Sequence, residues 1–123
     1  MTKRKHIKDD ERFSIVQDNF TLPKFDVGNC FICKRYLRQY EGAAHEIFWG
    51  NANRQKSKDY GLVVRLCVNH HDRSSPISVH HNPKGTLNKE LQRKGKEAFK
   101  REYPGEDFLG VFGRNYEDTS EEY

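Results

Sequence analysis

The 123 residues of this chain suffice for one domain and not for two independent cores. Hydrophobic residues make up 34% of it and charged residues 33%, with a mean hydropathy of −1.01, so burial alone leaves the fold marginal and a structural metal is expected to supply part of the missing stability. The odd count of three cysteines, two of them in a Cys-x-x-Cys pair, argues against a disulfide framework, which wants an even number and a secretory context.

Taken in chain order, residues 1 to 11 mix basic and acidic side chains without periodicity and read as a tail. The opening MTKRKHIKDDE has charge but no apolar stretch after it, so neither a signal peptide nor a membrane anchor is expected, and the compartment expected is the cytoplasm. Residues 12 to 28 scatter apolar groups (Phe13, Ile15, Val16, Phe20, Leu22, Phe25) around Pro23 and end at Gly28, a short strand or extended cover. Cys30 to Cys33 predicts a tight knuckle, and Arg35 to Gln39 leads to a turn at Glu41-Gly42. Ala43 to Trp49 reads as a strand ending at Gly50. Asn51 to Tyr60 is polar and closed by Gly61, a loop or a helix of one to two turns. Leu62 to Leu66 is the clearest strand, β-branched and running into Cys67. Asp72 to Asn82 reads as a loop or interrupted helix. Thr86 is placed to cap a helix through about Tyr103, with Leu87, Leu91, Ala98 and Phe99 on one stripe and Pro104-Gly105 as its stop. Phe108, Leu109, Val111 and Phe112 form a closing patch before an acidic end.

Charge is unevenly placed along this order. The net value is +4, yet residues 103 to 123 carry six acids against Arg114 alone, a balance of −5 that leaves +9 on residues 1 to 102. A basic body of this size suits a polyanion, nucleic acid being the commonest; the plainer reading is a solvated surface that keeps a small protein soluble.

Two constellations carry chemistry. Cys30-x-x-Cys33 and Cys67-x-x-His70 present two close ligand pairs on two turns, the arrangement of a tetrahedral zinc site. His71 is the alternative fourth ligand; His70 is preferred because its spacing repeats that of the first pair. His45, Glu46, His71 and one of His80 or His81 then remain as polar groups which the zinc site does not need. Arg54, Lys56 and Lys58 form a basic cluster between them, either a solvated helix face or a phosphate contact.

The run His45-Glu46-Ile47-Phe48-Trp49-Gly50-Asn51-Ala52-Asn53-Arg54-Gln55-Lys56-Ser57, then Tyr60-Gly61-Leu62, Cys67-x-x-His70-His71 and Val79-His80, resembles the zinc-stapled HNH nucleases of the His-Me finger (ββα-metal) superfamily, and most of all its small phage-encoded members. The likeness runs over about residues 28 to 116 and includes Phe112-Gly113-Arg114-Asn115-Tyr116. It implies an α+β fold, a small zinc-stapled ββα-metal domain with an added C-terminal helix, divided into a basic tail and cover (1 to 28), the HNH-like domain with its helix (29 to 104), and a closing patch with acidic tail (105 to 123). It further implies a metal-dependent DNA endonuclease acting on phosphodiester bonds, phage or prophage encoded and working in the host cytoplasm. By that resemblance His45 is the catalytic histidine or a neighbouring metal ligand, His71 and His80 hold a catalytic Mg2+ or Mn2+, Cys30, Cys33, Cys67 and His70 hold structural Zn2+, and Arg54, Lys56 and Lys58 contact DNA.

This chain departs from the family pattern in two places. Family members carry Asp-His or His-His where it has His45-Glu46, and the second of the pair is ordinarily the base; strict register therefore puts Glu46 at the base position and His45 at the metal. The family asparagine before the second zinc pair is replaced by Gly61 or Leu62, so Asn51, Asn53 or Asn69 would have to substitute. The Glu46 departure motivates one alternative, a zinc-stabilised nucleic-acid-binding module that has lost hydrolysis; a second is a protein-binding inhibitor or adaptor on the same scaffold that uses the acidic tail as a decoy or docking segment.

Overall fold

A computed structural model describes residues 13–18, 20, 27–38, 41–50, 52–71, 76–82 and 84–116. The expected tail, Leu22, Pro23, Phe25, Gln39, Asn51 and the acidic end after Tyr116 lie outside them, as does part of the expected loop after His71.

The described residues build a small α+β fold with two small antiparallel sheets and four helices. Strands β1 (Gly28–Asn29) and β2 (Tyr36–Leu37) pair in the register Gly28 with Leu37 and Asn29 with Tyr36. They pinch off the knuckle between them, which is closed by Cys30 N–H to Arg35 O at 2.9 Å and Lys34 N–H to Cys30 O at 2.9 Å. Strands β3 (Gly42–Glu46) and β4 (Val63–Cys67) form the second ladder, running from Gly42 opposite Cys67 to Glu46 opposite Val63. Every residue of β4 is buried, as its β-branched, apolar reading predicts.

Helix α1 (Asn53–Tyr60) joins the two strands and ends on Gly61 at φ 76. A left-handed residue closes the helix with N–H to Lys58 O at 3.2 Å, a conformation open to glycine without steric cost. Strand β3 is shorter than the expected 43 to 49. Ile47 N–H still reaches Leu62 O at 3.0 Å, but the Ser57 hydroxyl donates to Phe48 O at 2.6 Å and accepts Phe48 N–H at 3.0 Å, drawing the chain off the ladder toward α1.

Helix α2 (Val68–His71) is a single turn, and α3 (Thr86–Glu102) is the long one. Thr86 is its first residue rather than its cap: Gly85 occupies that position with no side-chain hydrogen bond. The stripe of α3 buries Leu91, Ala98 and Phe99 as expected, and also Asn88 and Gly95. A Cβ on Gly95 would lie 3.1 Å from the Phe48 ring and 3.2 Å from Ile47, so glycine lets α3 press directly on the end of β3. Helix α4 (Phe108–Phe112) turns Phe108 and Phe112 inward while Leu109 is exposed, correcting its expected place in the closing patch.

The core is built on rings. Phe48, Tyr60, Phe99, Tyr103, Phe108, Phe112 and Tyr116 pack in tilted and edge-on pairs, with centroids 4.9 Å apart for Phe48 with Phe112 and 5.0 Å for Tyr60 with Phe99, geometries that aromatic quadrupoles favour. Residues 13–18 cover β4 without becoming a strand. Ser14 Oγ donates to Val63 O at 2.6 Å, and Gln17 Oε1 accepts Arg65 N–H at 2.7 Å. No helix among the described residues is long and apolar enough to cross a membrane.

Candidate metal centres

Two side-chain clusters draw on the β3–β4 ladder, one through Cys67 where β4 pairs with Gly42 and the other through His45 toward the opposite end of β3. Cys30 and Cys33 come from the first knuckle, Cys67 ends β4, and His70 lies one turn later on α2. Their donor atoms lie within 4.8 Å of one another. Cys33 Sγ is 3.9 Å from Cys67 Sγ, and His70 Nδ1 is 3.6 Å from Cys30 Sγ and 3.2 Å from Cys67 Sγ. A tetrahedral ion with bonds of about 2.3 Å to sulfur and about 2.1 Å to nitrogen needs edges of about 3.8 and about 3.6 Å, so this Cys3His cluster fits a metal such as zinc.

The electrostatics agree with thiolate ligation. Burial pushes the Cys67 thiol up, but hydrogen bonds from the His70 backbone and ring and from Arg35 outweigh it and bring the group down to about 6. The Arg35 guanidinium is in turn held more firmly protonated by its hydrogen bond to Cys67. Burial raises Cys30. Arg35 was invisible as a site residue in the sequence because nothing local links it to a sulfur 32 positions away; a cation beside a Cys-x-x-Cys knuckle is the signal that points to it.

The second cluster is His45, His71 and His80, whose ring nitrogens also lie within 4.8 Å of one another. His45 sits in β3 opposite Val64 and is 2% exposed. His71 ends α2, facing away from the cluster that takes its neighbour His70, and His80 comes from the turns at 76–82. His71 Nε2 and His80 Nε2 are 3.1 Å apart, and the His45 ring stands edge-on to both, with centroids 5.5 and 5.7 Å away. Nε2 of His45 is buried without a hydrogen-bond partner. Burial first, then the nearby His71, His80 and Arg54, hold the His45 imidazole down to about 3. It is neutral throughout the physiological range, the form that ligates metal, and its weak basicity makes it a poor proton acceptor.

Three imidazoles gathered together, one with an orphaned nitrogen, fit a divalent ion. The donor set is all nitrogen, which suits zinc, nickel or cobalt better than the oxygen-preferring magnesium.

The other site residues named from sequence fall outside this trio. Glu46 is half-buried, with Oε1 3.8 Å from Arg54 Nε. Arg54 is exposed. Lys56 Nζ donates to Val111 O at 2.6 Å, so its ammonium fastens α4 to α1. Lys58 lies in the last turn of α1, where a cation complements the helix dipole. His81 is exposed and gives its backbone N–H to Ser78 Oγ at 3.0 Å. Asn53 Nδ2 donates to Phe112 O at 3.1 Å and to the Tyr116 hydroxyl at 2.9 Å, a fastening of the C-terminal segment, and Asn69 is exposed on α2.

Comparison with family models, with curated proteins and with solved structures finds no match to this chain.

Proposed function

We propose that this chain is a metal-dependent DNA endonuclease of the HNH type, on a ββα-metal core, hydrolysing phosphodiester bonds with a divalent ion held by His45, His71 and His80, while Cys30, Cys33, Cys67 and His70 hold a structural zinc. The observation that carries the reading is the buried, partnerless Nε2 of His45 among two further imidazoles. A folded chain seldom leaves such an atom orphaned unless a ligand completes it. The +9 balance of residues 1 to 102 supports a polyanionic substrate.

In this reading His45 is a ligand and not the base, because burial keeps it neutral and weakly basic. Glu46, its neighbour at the end of β3, is then the proton acceptor for the attacking water, and the Arg54 guanidinium 3.8 Å from its carboxylate orients it. The bound ion would stabilise charge on the phosphate and leaving oxygen.

The deciding experiment is plasmid nicking by the purified protein with zinc, nickel, cobalt, manganese, magnesium or a chelator. Nicking is expected with the borderline transition ions before magnesium, and His71→Ala and His80→Ala should remove it while the Cys3His cluster keeps its zinc. Protein that binds DNA yet nicks it with none of these ions would replace the enzyme by the binding module. That second reading draws its support from Glu46 standing in an ion pair outside the trio and from Lys56 being engaged in holding α4.

A further inference from the structure

We propose that Asn88 is a positioning residue for the three-histidine site: its carboxamide holds the main chain next to His80 and so fixes where that imidazole meets His71 and His45. The inference rests on the reading of the trio as a metal site.

His45 is fixed by a strand ladder and His71 by a helix, but His80 belongs to a stretch of turns. That stretch folds on itself, with Asn82 N–H to Ser78 O at 3.0 Å and Asn82 Nδ2 to Pro76 O at 2.5 Å, contacts that shape the turn without placing it. Two hydrogen bonds at Val79 tie it to α2 and α3. Its N–H donates to His70 O at 2.9 Å, and its C=O accepts from Asn88 Nδ2 at 2.8 Å. Val79 is 1% exposed and Asn88 equally so, so water does not compete for either group.

The orientation of the Asn88 amide follows from its neighbours. Nδ2 faces two carbonyls, those of Val79 and, at 3.1 Å, Asn82, and only a donor satisfies two acceptors. Its Oδ1 is buried without a partner, so the side chain gives up an acceptor bond to make these two donations. A buried polar side chain on the apolar stripe of α3 is costly to keep for helix packing alone. Holding Val79 gives it a purpose, because a shift of the backbone there moves the His80 nitrogen off the ion. Groups that orient metal ligands from behind typically change metal affinity by about 10–100-fold when removed.

The test uses the full chain carrying one equivalent of zinc in the Cys3His cluster, titrated with cobalt. The d–d absorption reports occupancy of the trio, and absence of thiolate-to-cobalt charge transfer shows that the cysteine cluster is undisturbed. Asn88→Ala should weaken cobalt binding by at least about tenfold with the zinc retained. Leu91→Ala, a core truncation one turn along the same helix, should lower the thermal midpoint yet leave cobalt affinity at the wild-type level. Asn88→Ala binding cobalt as tightly as wild type, or Leu91→Ala weakening it as much, would overturn the positioning role and leave the metal site standing. Wild-type protein that takes up no second ion would overturn both. Should Asn88→Ala fail to fold, proton exchange of the Asn88 carboxamide in the wild type decides: filling the trio with a second equivalent of zinc should slow it, and an unchanged rate would sink the proposal.

Discussion

An orphaned buried nitrogen costs a folded protein about 1–3 kcal/mol, and His45 carries one at 2% exposure. The same burial leaves a signature in the pH dependence of stability. The folded imidazole titrates at about 3 against an ordinary 6.5, so between those values the unfolded chain binds a proton that the native chain refuses. Stability from this group is therefore complete above pH 6.5 and is lost as pH falls toward 3, with a slope approaching about 1.4 kcal/mol per pH unit. Urea denaturation at a series of pH values, on protein stripped of metal at the trio, should show this slope in the wild type and its loss in His45→Gln. Protonation of the cysteine cluster is common to both proteins and cancels in the difference. Equal slopes would show that His45 is not held neutral by its surroundings.

At the scale of elements, the joint between α1 and β4 is the most sharply determined. Gly61 stands at φ 76, and a Cβ there would run into the Phe13 ring. Gly61→Ala should therefore lower stability by at least the left-handed penalty of about 1–2 kcal/mol, measured by chemical denaturation, without altering zinc content. Retained stability would mean that the covering segment at Phe13 does not pack there. This joint was legible from sequence because a polar run closed by glycine is a local signal. The cysteine knuckle was legible for the same reason: two ligands three residues apart need only one turn to meet. The choice of His70 over His71 was open to spacing, and the structure gives each neighbour to a different cluster. What sequence could not reach were the side chains whose meaning is tertiary. Ser57 ends β3 early, Gly95 admits α3 to Phe48, Arg35 reaches Cys67, and Asn88 occupies a position where periodicity calls for an apolar residue. The Thr86 cap failed differently: threonine favours the cap position, but the Gly85 N–H bond to Asn82 O at 2.9 Å already turns the chain one residue earlier.

Over the whole molecule, the aromatic core holds together a chain with few apolar residues, and a zinc in the Cys3His cluster would add to it; a structural zinc supplies about 10–16 kcal/mol of apparent binding free energy in small domains. The electrostatic balance is divided along the sequence. Tyr116 packs against the core, its ring centroid 4.7 Å from that of Phe48 and its hydroxyl hydrogen-bonded to Asn53, whereas the acids Glu117, Asp118, Glu121 and Glu122 follow it. A stop after Tyr116 therefore removes four negative charges and moves the net charge from +4 to +8 while leaving the ring cluster whole. If the basic body binds the phosphates of a duplex, these acids compete with the nucleic acid for the same cations, and their removal should tighten non-specific binding. Affinity of both proteins should also fall steeply with salt, because each neutralised phosphate contributes about −0.9 to the slope of log K against log salt. Titration of a labelled duplex at 50 and about 200 mM salt measures both effects. Equal affinity at the two concentrations would remove nucleic acid as the partner, and with it the reason for placing a metal-activated water beside Glu46.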